Sequence, residues 1–130
     1  STVMQDDDHL SFAVAANEVC DFYLLLDHYA AITGPLKFAF TIPAGGSITG
    51  FVAGDVGLLA AVAAPLTERN LTTAFQITYA TADRWFIVHG RYIGGATAGT
   101  VQLQWAQNGS NATPTTVYTG SYLIAKKVSA

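Results

Sequence analysis

Residues 5–10 read Gln-Asp-Asp-Asp-His-Leu, which places three of the chain's nine acidic residues side by side with a histidine directly after them. Carboxylates and an imidazole in one short run are the raw material of a cation site or an acid–base centre. In an extended segment side chains alternate, so Asp6 and Asp8 share one side while Asp7 and His9 share the other. Asp6 and Asp8 are therefore the candidate metal ligands. Calcium takes about six to eight oxygens, and the run lacks the acidic loop with its central glycine and distant glutamate that supplies them in helix–loop–helix sites. Zinc would require further His or Cys, and His28 and His89 would have to be brought in by the fold. Two other readings stand beside the metal: a solvated lead-in whose charges stop the first strand from extending outward, and a salt bridge to a neighbouring chain.

No other run suggests catalysis. The chain has no Gly-x-Ser-x-Gly elbow, no phosphate-binding loop and no dinucleotide fingerprint. Its only glutamates are Glu18 and Glu68, and spacing alone does not single out a carboxylate pair for glycoside cleavage. Cys20 is the single cysteine and lies in the apolar run EVCDFYLLLD. It reads as a buried inert thiol, because no basic neighbour or helix N-terminus is there to lower its pKa. His89 shares a strand face with Trp85 and Arg91 and reads as a packed or interface histidine. Trp85, Trp105, Tyr92, Tyr118 and Tyr122 form either a sugar-binding platform or core and cross-strand pairs. Sequons at Asn70, Asn108 and Asn111 are expected by chance in a chain rich in Thr and Asn. No catalytic residue, cofactor or enzymatic role is predicted.

The composition points to assembly. Hydrophobic residues make up 51% of the 130 residues and charged residues only 12%, about half the share in an ordinary soluble domain. Either a skin of Thr, Ser, Asn, Gln and Gly covers a stable all-β domain, or part of the surface is buried against other copies or partners. The net charge is −3, with six Lys and Arg and no basic run beyond Lys126-Lys127, which argues against nucleic acid as a partner. The longest apolar stretch, residues 56–66, is interrupted by Gly and Pro and falls short of the roughly 20 residues a membrane helix needs. No signal-peptide pattern opens the chain. No membrane partner is expected.

The elements that must position these residues are strands. Residues 1–9 read as a polar lead-in, with the first strand beginning at Leu10. Residues 15–18 read as a turn. In 19–27, Cys20, Phe22, Leu24 and Leu26 form a wholly apolar face, and in 36–42 Leu36, Phe38, Phe40 and Ile42 do the same. PAGG at 43–46 breaks the chain before a strand at 47–53. Further strands are expected at 73–80 (Phe75, Ile77 and Tyr79 inward), 83–93, 100–107 and 121–127, with 108–116 a loop. Residues 54–70 hold either a short helix capped by Asp55 or an irregular, partly strand segment; the strands around it favour the second. Eight or more short strands with Gly- and Pro-rich turns predict one all-β domain, an antiparallel, jelly-roll-like β-sandwich.

Three blocks resemble a family of small tailed-bacteriophage proteins of the virion structural type: QDDDHLSFAVAANEV (5–19), KFAFTIPAGGSI (37–48) and residues 94–128 from GGATAGTVQLQWAQ to SYLIAKKV. The resemblance covers most of the chain and is thinnest over 51–75. It implies a non-enzymatic virion β-sandwich, either a capsid decoration or cement protein or a tail or fibre module. At the position of Cys20 the family pattern carries a Trp, so Phe22 or Trp105 is expected to fill the space left by the smaller residue. The leading expectation is a decoration or cement protein whose partners are further copies of the chain, as a homotrimer, and the major capsid protein or other virion proteins. The alternatives are a tail or fibre module that binds host glycan or protein through loops such as 108–116, and a self-polymerising filament subunit built by strand addition.

Overall fold

A computed structural model describes residues 1–54, 68–77 and 82–128, and for 82–84 the backbone only. The ambiguous segment around 55–67 and the inward position expected for Tyr79 lie outside the described residues. Every regular element described is a strand. They are β1 (Gln5–Val14), β2 (Val19–Ala30), β3 (Leu36–Thr41), β4 (Ser47–Gly54), β5 (Arg69–Asn70), β6 (Phe75–Ile77), β7 (Ala82–Ile93), β8 (Gly99–Gln107), β9 (Thr116–Val117) and β10 (Tyr122–Lys127).

The strands form two antiparallel sheets, ordered β1-β8-β3-β6 and β10-β2-β7-β4-β5, with β9 also on β2. The pairs β1·β8, β2·β7, β3·β6 and β4·β5 are those of one long hairpin, and β8·β3 and β7·β4 roll that hairpin up. The result is a jelly roll, the double-sheet architecture predicted from the strand count. β9 and β10 follow the roll and cover the outer edge of β2. The backbone N–H of Tyr118 donates to Asp27 O at 2.9 Å, and Ser121 Oγ accepts from Asp27 N at 3.0 Å, so the link between β9 and β10 is stitched onto β2. β10 also lies against β1 of the other sheet, which closes that side of the sandwich. Leu71 joins the sheets at the opposite side: its N–H donates to Ile48 O at 3.1 Å and its carbonyl accepts from Phe40 N at 2.8 Å.

The expected apolar faces pack as the core. Phe22, Leu24 and Leu26 of β2, Leu36, Phe38 and Phe40 of β3, Phe86, Val88 and Tyr92 of β7, and Val101 and Leu103 of β8 are all buried. Aromatic rings bridge the sheets. Phe22 lies between Phe12 and Phe40, at 5.8 and 5.3 Å between ring centroids, and Phe38 stacks on Phe86 at 5.0 Å. Room for Phe22 exists because Gly90 is its cross-strand neighbour. A Cβ on Gly90 would lie 2.5 Å from Phe22 Cζ and 2.7 Å from Thr49 O. Gly50, paired with Gly90, is covered in turn by Leu71. Cys20 is buried as expected, and the register gives it a large cross-strand neighbour that the sequence reading did not name. That neighbour is Tyr92, directly opposite Cys20 in the β2–β7 ladder and fully buried. Trp105 lies at the far end of β8, opposite Gln5 and Phe38.

The structure differs from the sequence expectation at the chain's start. β1 begins at Gln5, so the aspartates belong to a strand and not to a lead-in before Leu10. The β1–β2 turn does fall at 15–18. Asn17 takes the left-handed conformation (φ 58°), which Asn tolerates better than most residues, and its N–H donates to Gly95 O at 2.7 Å. Glu18 Oε2 accepts from Ala15 N at 2.6 Å, and Lys127 of β10 pairs with the same carboxylate at 3.4 Å.

Two outcomes follow from this packing. Gly90→Ala should lower the free energy of unfolding by about 2–3 kcal/mol through overpacking, and adding Phe22→Leu should recover part of it in urea titrations. The Ala15 amide, with Lys127 helping and burial opposing, holds the Glu18 carboxyl below its ordinary value of 4.5. A depressed folded pKa contributes stability above the unfolded value and loses it as pH falls through the folded one. The stability difference between the native chain and Glu18→Gln should therefore be present near neutral pH and shrink on acidification below 4.5.

Candidate functional site

The aspartate run lies where the β1–β8 ladder breaks. Gln5 and Asp6 pair with Trp105 and Gln104, then pairing resumes at Ser11 with Gln102. Residues 7–10 therefore oppose Leu103 alone, and the surplus chain bulges out. Asp7 closes that bulge. Its Oδ1 accepts from His9 N and Leu10 N, each at 3.0 Å, an Asx turn of the kind Asp favours. Its Oδ2 accepts from Trp105 Nε1 at 3.1 Å, and its carbonyl accepts from Gln102 Nε2 at 3.0 Å. Beside it, Asp6 Oδ1 accepts from Gln104 Nε2 at 2.8 Å. β8 thus supplies Gln102, Gln104 and Trp105, each at a position where the regular ladder is interrupted or about to be.

This arrangement changes the meaning of the run. Asp6 and Asp8 were the candidate ligands, yet Asp6 Oδ1 is taken by Gln104, and both oxygens of Asp7 are occupied by donors from the chain itself. Among the described residues no three His, Cys, Asp or Glu side chains converge on a point that could hold a metal ion. The histidines are separated by the sheet. His28 is buried against Phe86, 5.3 Å between ring centroids, whereas His89 is exposed on the outer face, 6.5 Å from Tyr23.

An open groove of about 440 Å³ runs over the bulge, between residues 1–9 and the loop at 111–115, with Trp105 in its floor. Its lining includes Asp6, Asp7 and Asp8 and no Lys or Arg, so its field is negative. The loop forming its far wall is fastened to the end of β8 and to the β2–β3 turn. Gln107 Nε2 donates to Thr113 O at 2.7 Å, Thr115 Oγ1 to Gly34 O at 3.0 Å, and Asn111 Nδ2 to Thr33 Oγ1. Of the sequon asparagines, Asn108 likewise donates to Gln76 at 2.5 Å, and Asn70 accepts from Thr72 at 2.8 Å. The aromatic platform expected as one alternative does not assemble: Tyr92 is in the core, Trp105 in the groove, and Trp85 and Tyr122 on the outer face of the larger sheet.

That outer face is the second feature of note. Ile124, Tyr23, His89 and Phe51 form one row across β10, β2, β7 and β4, and Tyr122, Leu25, Ile87 and Ala53 form the next. Beside them Arg91 holds Asp21 through two hydrogen bonds of 2.6 and 3.0 Å, and the guanidinium keeps the Asp21 carboxyl below its ordinary range. Strand alternation already placed His89 on one strand face with Trp85 and Arg91. What alternation could not show is that β4 and β10 align their own apolar residues with them.

The Asp7 clasp has a measurable consequence. Asp7→Ala should cost about 2–3 kcal/mol in urea unfolding, because it strips partners from two amides and a half-buried indole. Asp6→Ala with Asp8→Ala should cost about 1 kcal/mol or less, and a chelator should leave the melting temperature unchanged. A drop on chelation would instead assign a cation to the groove. Comparison with protein-family models, with characterised proteins and with solved structures finds no match to this chain.

Proposed function

We propose that this chain is a structural subunit of a tailed-phage virion, acting on the capsid as a decoration or cement protein through association and not through catalysis. The observation that carries this reading is the outer face of the larger sheet, where apolar side chains from four strands stand in register on a closed jelly roll. Large exposed apolar patches on rigid domains are features of interaction surfaces. The resemblance of residues 5–19, 37–48 and 94–128 to virion structural proteins points the same way, and so does the low share of charge. The opening acidic run supports it indirectly, since Asp7 and Asp6 act as strand fasteners.

The mechanism would be mechanical. Each apolar contact formed with the shell or with another copy would remove area from water, a favourable term of about 25 cal/mol per Å² before the cost of association. Summed over many subunits, such contacts would raise the barrier to shell rupture under the pressure of packaged DNA. The groove beside Trp105 supports a second reading, a tail or fibre module that grips a host glycan or protein against the fastened 111–115 loop. Localisation on the virion and partnership with the major capsid protein belong to the first reading.

Quantitative mass spectrometry of purified virions separates the two. Cement predicts a copy number that scales with the capsomers and binding of the purified chain to expanded heads. A few copies per particle, with binding to host envelopes in place of heads, would replace the cement reading with adhesion.

A further inference from the structure

Asn108 and Gly109 follow directly on β8 and form the chain's one Asn-Gly pair. Asparagine is among the thermolabile residues, because its side-chain amide carbon lies within reach of the next residue's backbone nitrogen. Glycine is the most permissive follower, since no Cβ blocks the approach and its backbone rotates freely. The chain has three other asparagines, Asn17, Asn70 and Asn111, so the fold itself supplies the comparison.

Each of those three is restrained. After Asn17, the Glu18 N–H donates to Ala15 O at 3.3 Å. After Asn70, the Leu71 N–H donates to Ile48 O at 3.1 Å, Leu71 is buried, and Asn70 Oδ1 accepts from Thr72. In both, the N–H that would have to lose its proton is held by a carbonyl. Asn111 is fixed at both ends of its amide: Oδ1 accepts from Thr113 N at 2.7 Å and Nδ2 donates to Thr33 Oγ1.

Asn108 lacks those restraints. It is exposed just past the end of β8. Among the described residues no acceptor holds the Gly109 N–H and no donor reaches Asn108 Oδ1. Its Nδ2 donates to Gln76 Oε1 at 2.5 Å, and Gln76 is itself exposed. The surroundings give a change here a consequence. The Asn108 N–H donates to Pro35 O at 2.7 Å, and a Cβ on Gly109 would lie 2.9 Å from Thr33 O. The same β2–β3 turn anchors the 111–115 loop, the far wall of the groove over Trp105.

We propose that Asn108-Gly109 is a self-modification site, at which the folded chain converts Asn108 to aspartate and isoaspartate without an enzyme. The Gly109 N–H gives its proton to water or hydroxide, and the nitrogen forms a bond to Asn108 Cγ. The Cγ–Nδ2 bond breaks, ammonia leaves, and a cyclic imide remains. Water then opens the ring. Cleavage between the nitrogen and Cγ leaves aspartate. Cleavage between the nitrogen and the main-chain carbonyl carbon of residue 108 leaves isoaspartate, whose chain runs through Cβ and Cγ. Nothing is oxidised or reduced, and water is the co-reactant. Either product adds a negative charge and replaces the donor that met Gln76 Oε1 with an acceptor. Isoaspartate also lengthens the main chain between the Pro35 and Thr33 contacts, which shifts the anchor of the 111–115 loop. The reaction goes beyond the virion reading and is independent of it, since it needs no partner.

Peptide mapping by mass spectrometry of the purified, folded chain during incubation in mildly alkaline buffer tests it. The expected result is a mass gain of about 1 Da at Asn108, with isoaspartate identified by fragmentation. It should accrue at least about tenfold faster than at Asn17, Asn70 or Asn111, and within about tenfold of the rate for the same pair in the urea-unfolded chain. A folded rate further below the unfolded one overturns the proposal, because the fold would then protect the pair. Faster conversion at another asparagine of the folded chain does the same. In Asn108→Gln, shown to fold by circular dichroism, the longer side chain would have to close a larger ring, so the gain at this position should disappear. A gain that persists there, or a product without isoaspartate, means direct hydrolysis and overturns the ring mechanism.

Discussion

The contact on which the sandwich depends is that of Phe22 with Gly90. The ring needs the space that a Cβ on Gly90 would fill, and from there it reaches Phe12 and Phe40 on the other sheet. One residue without a side chain thus lets one aromatic ring span the interior. Gly50 repeats the device beside it, with Leu71 as the covering side chain. Leu71 also carries the two backbone hydrogen bonds that tie β3 to β4. The glycines therefore set how closely the sheets approach, and the aromatic residues set what fills the gap. Replacing either half of this arrangement leaves a void or a clash, each costly in an interior packed at crystal-like density.

Around that core the chain has few charges, and it uses them locally. Asp21 and Arg91 pair across β2 and β7. Glu18 and Lys127 join the β1–β2 turn to the last strand. Asp7 holds a bulge and an indole. Low charge leaves the two sheets with different surfaces. The smaller sheet is coated with Gln, Thr and Ser, so the uncharged polar skin read from composition describes that side. The larger sheet carries Ile, Tyr, Leu, Phe and Trp on its outward side. Composition alone reports an average and could not assign the two halves.

The strand faces were legible because alternation is local. In β2 the buried residues are those that period-two spacing selects, in β3 they are Leu36, Phe38 and Phe40 with Ala39 of the other face besides, and β7 and β8 follow the rule over Phe86–Tyr92 and Val101–Leu103. The jelly-roll class followed from strand number and turn composition. The start of β1 was not legible, because a run of Asp disfavours a strand and the pairing that overrides this comes from Gln104 and Trp105, far along the chain. The role of Asp7 was hidden for the same reason. Its Asx turn is a local signal, but alternation directed attention to Asp6 and Asp8 as the pair sharing one side, and a bulge breaks alternation.

Cys20 shows the same division. Its burial could be read from its neighbours in sequence, whereas the register that sets Tyr92 opposite it could not. Residue types and their spacing decided which side chains turn inward, where the chain must turn, and that no recognisable catalytic motif is present. Those properties depend on contacts a few residues apart. The pairing of β1 with β8, the clasp on the aspartate run and the alignment of apolar residues across β10, β2, β7 and β4 were decided only by tertiary structure. They depend on register between strands tens of residues apart, where a shift of one position would turn every side chain to the opposite face.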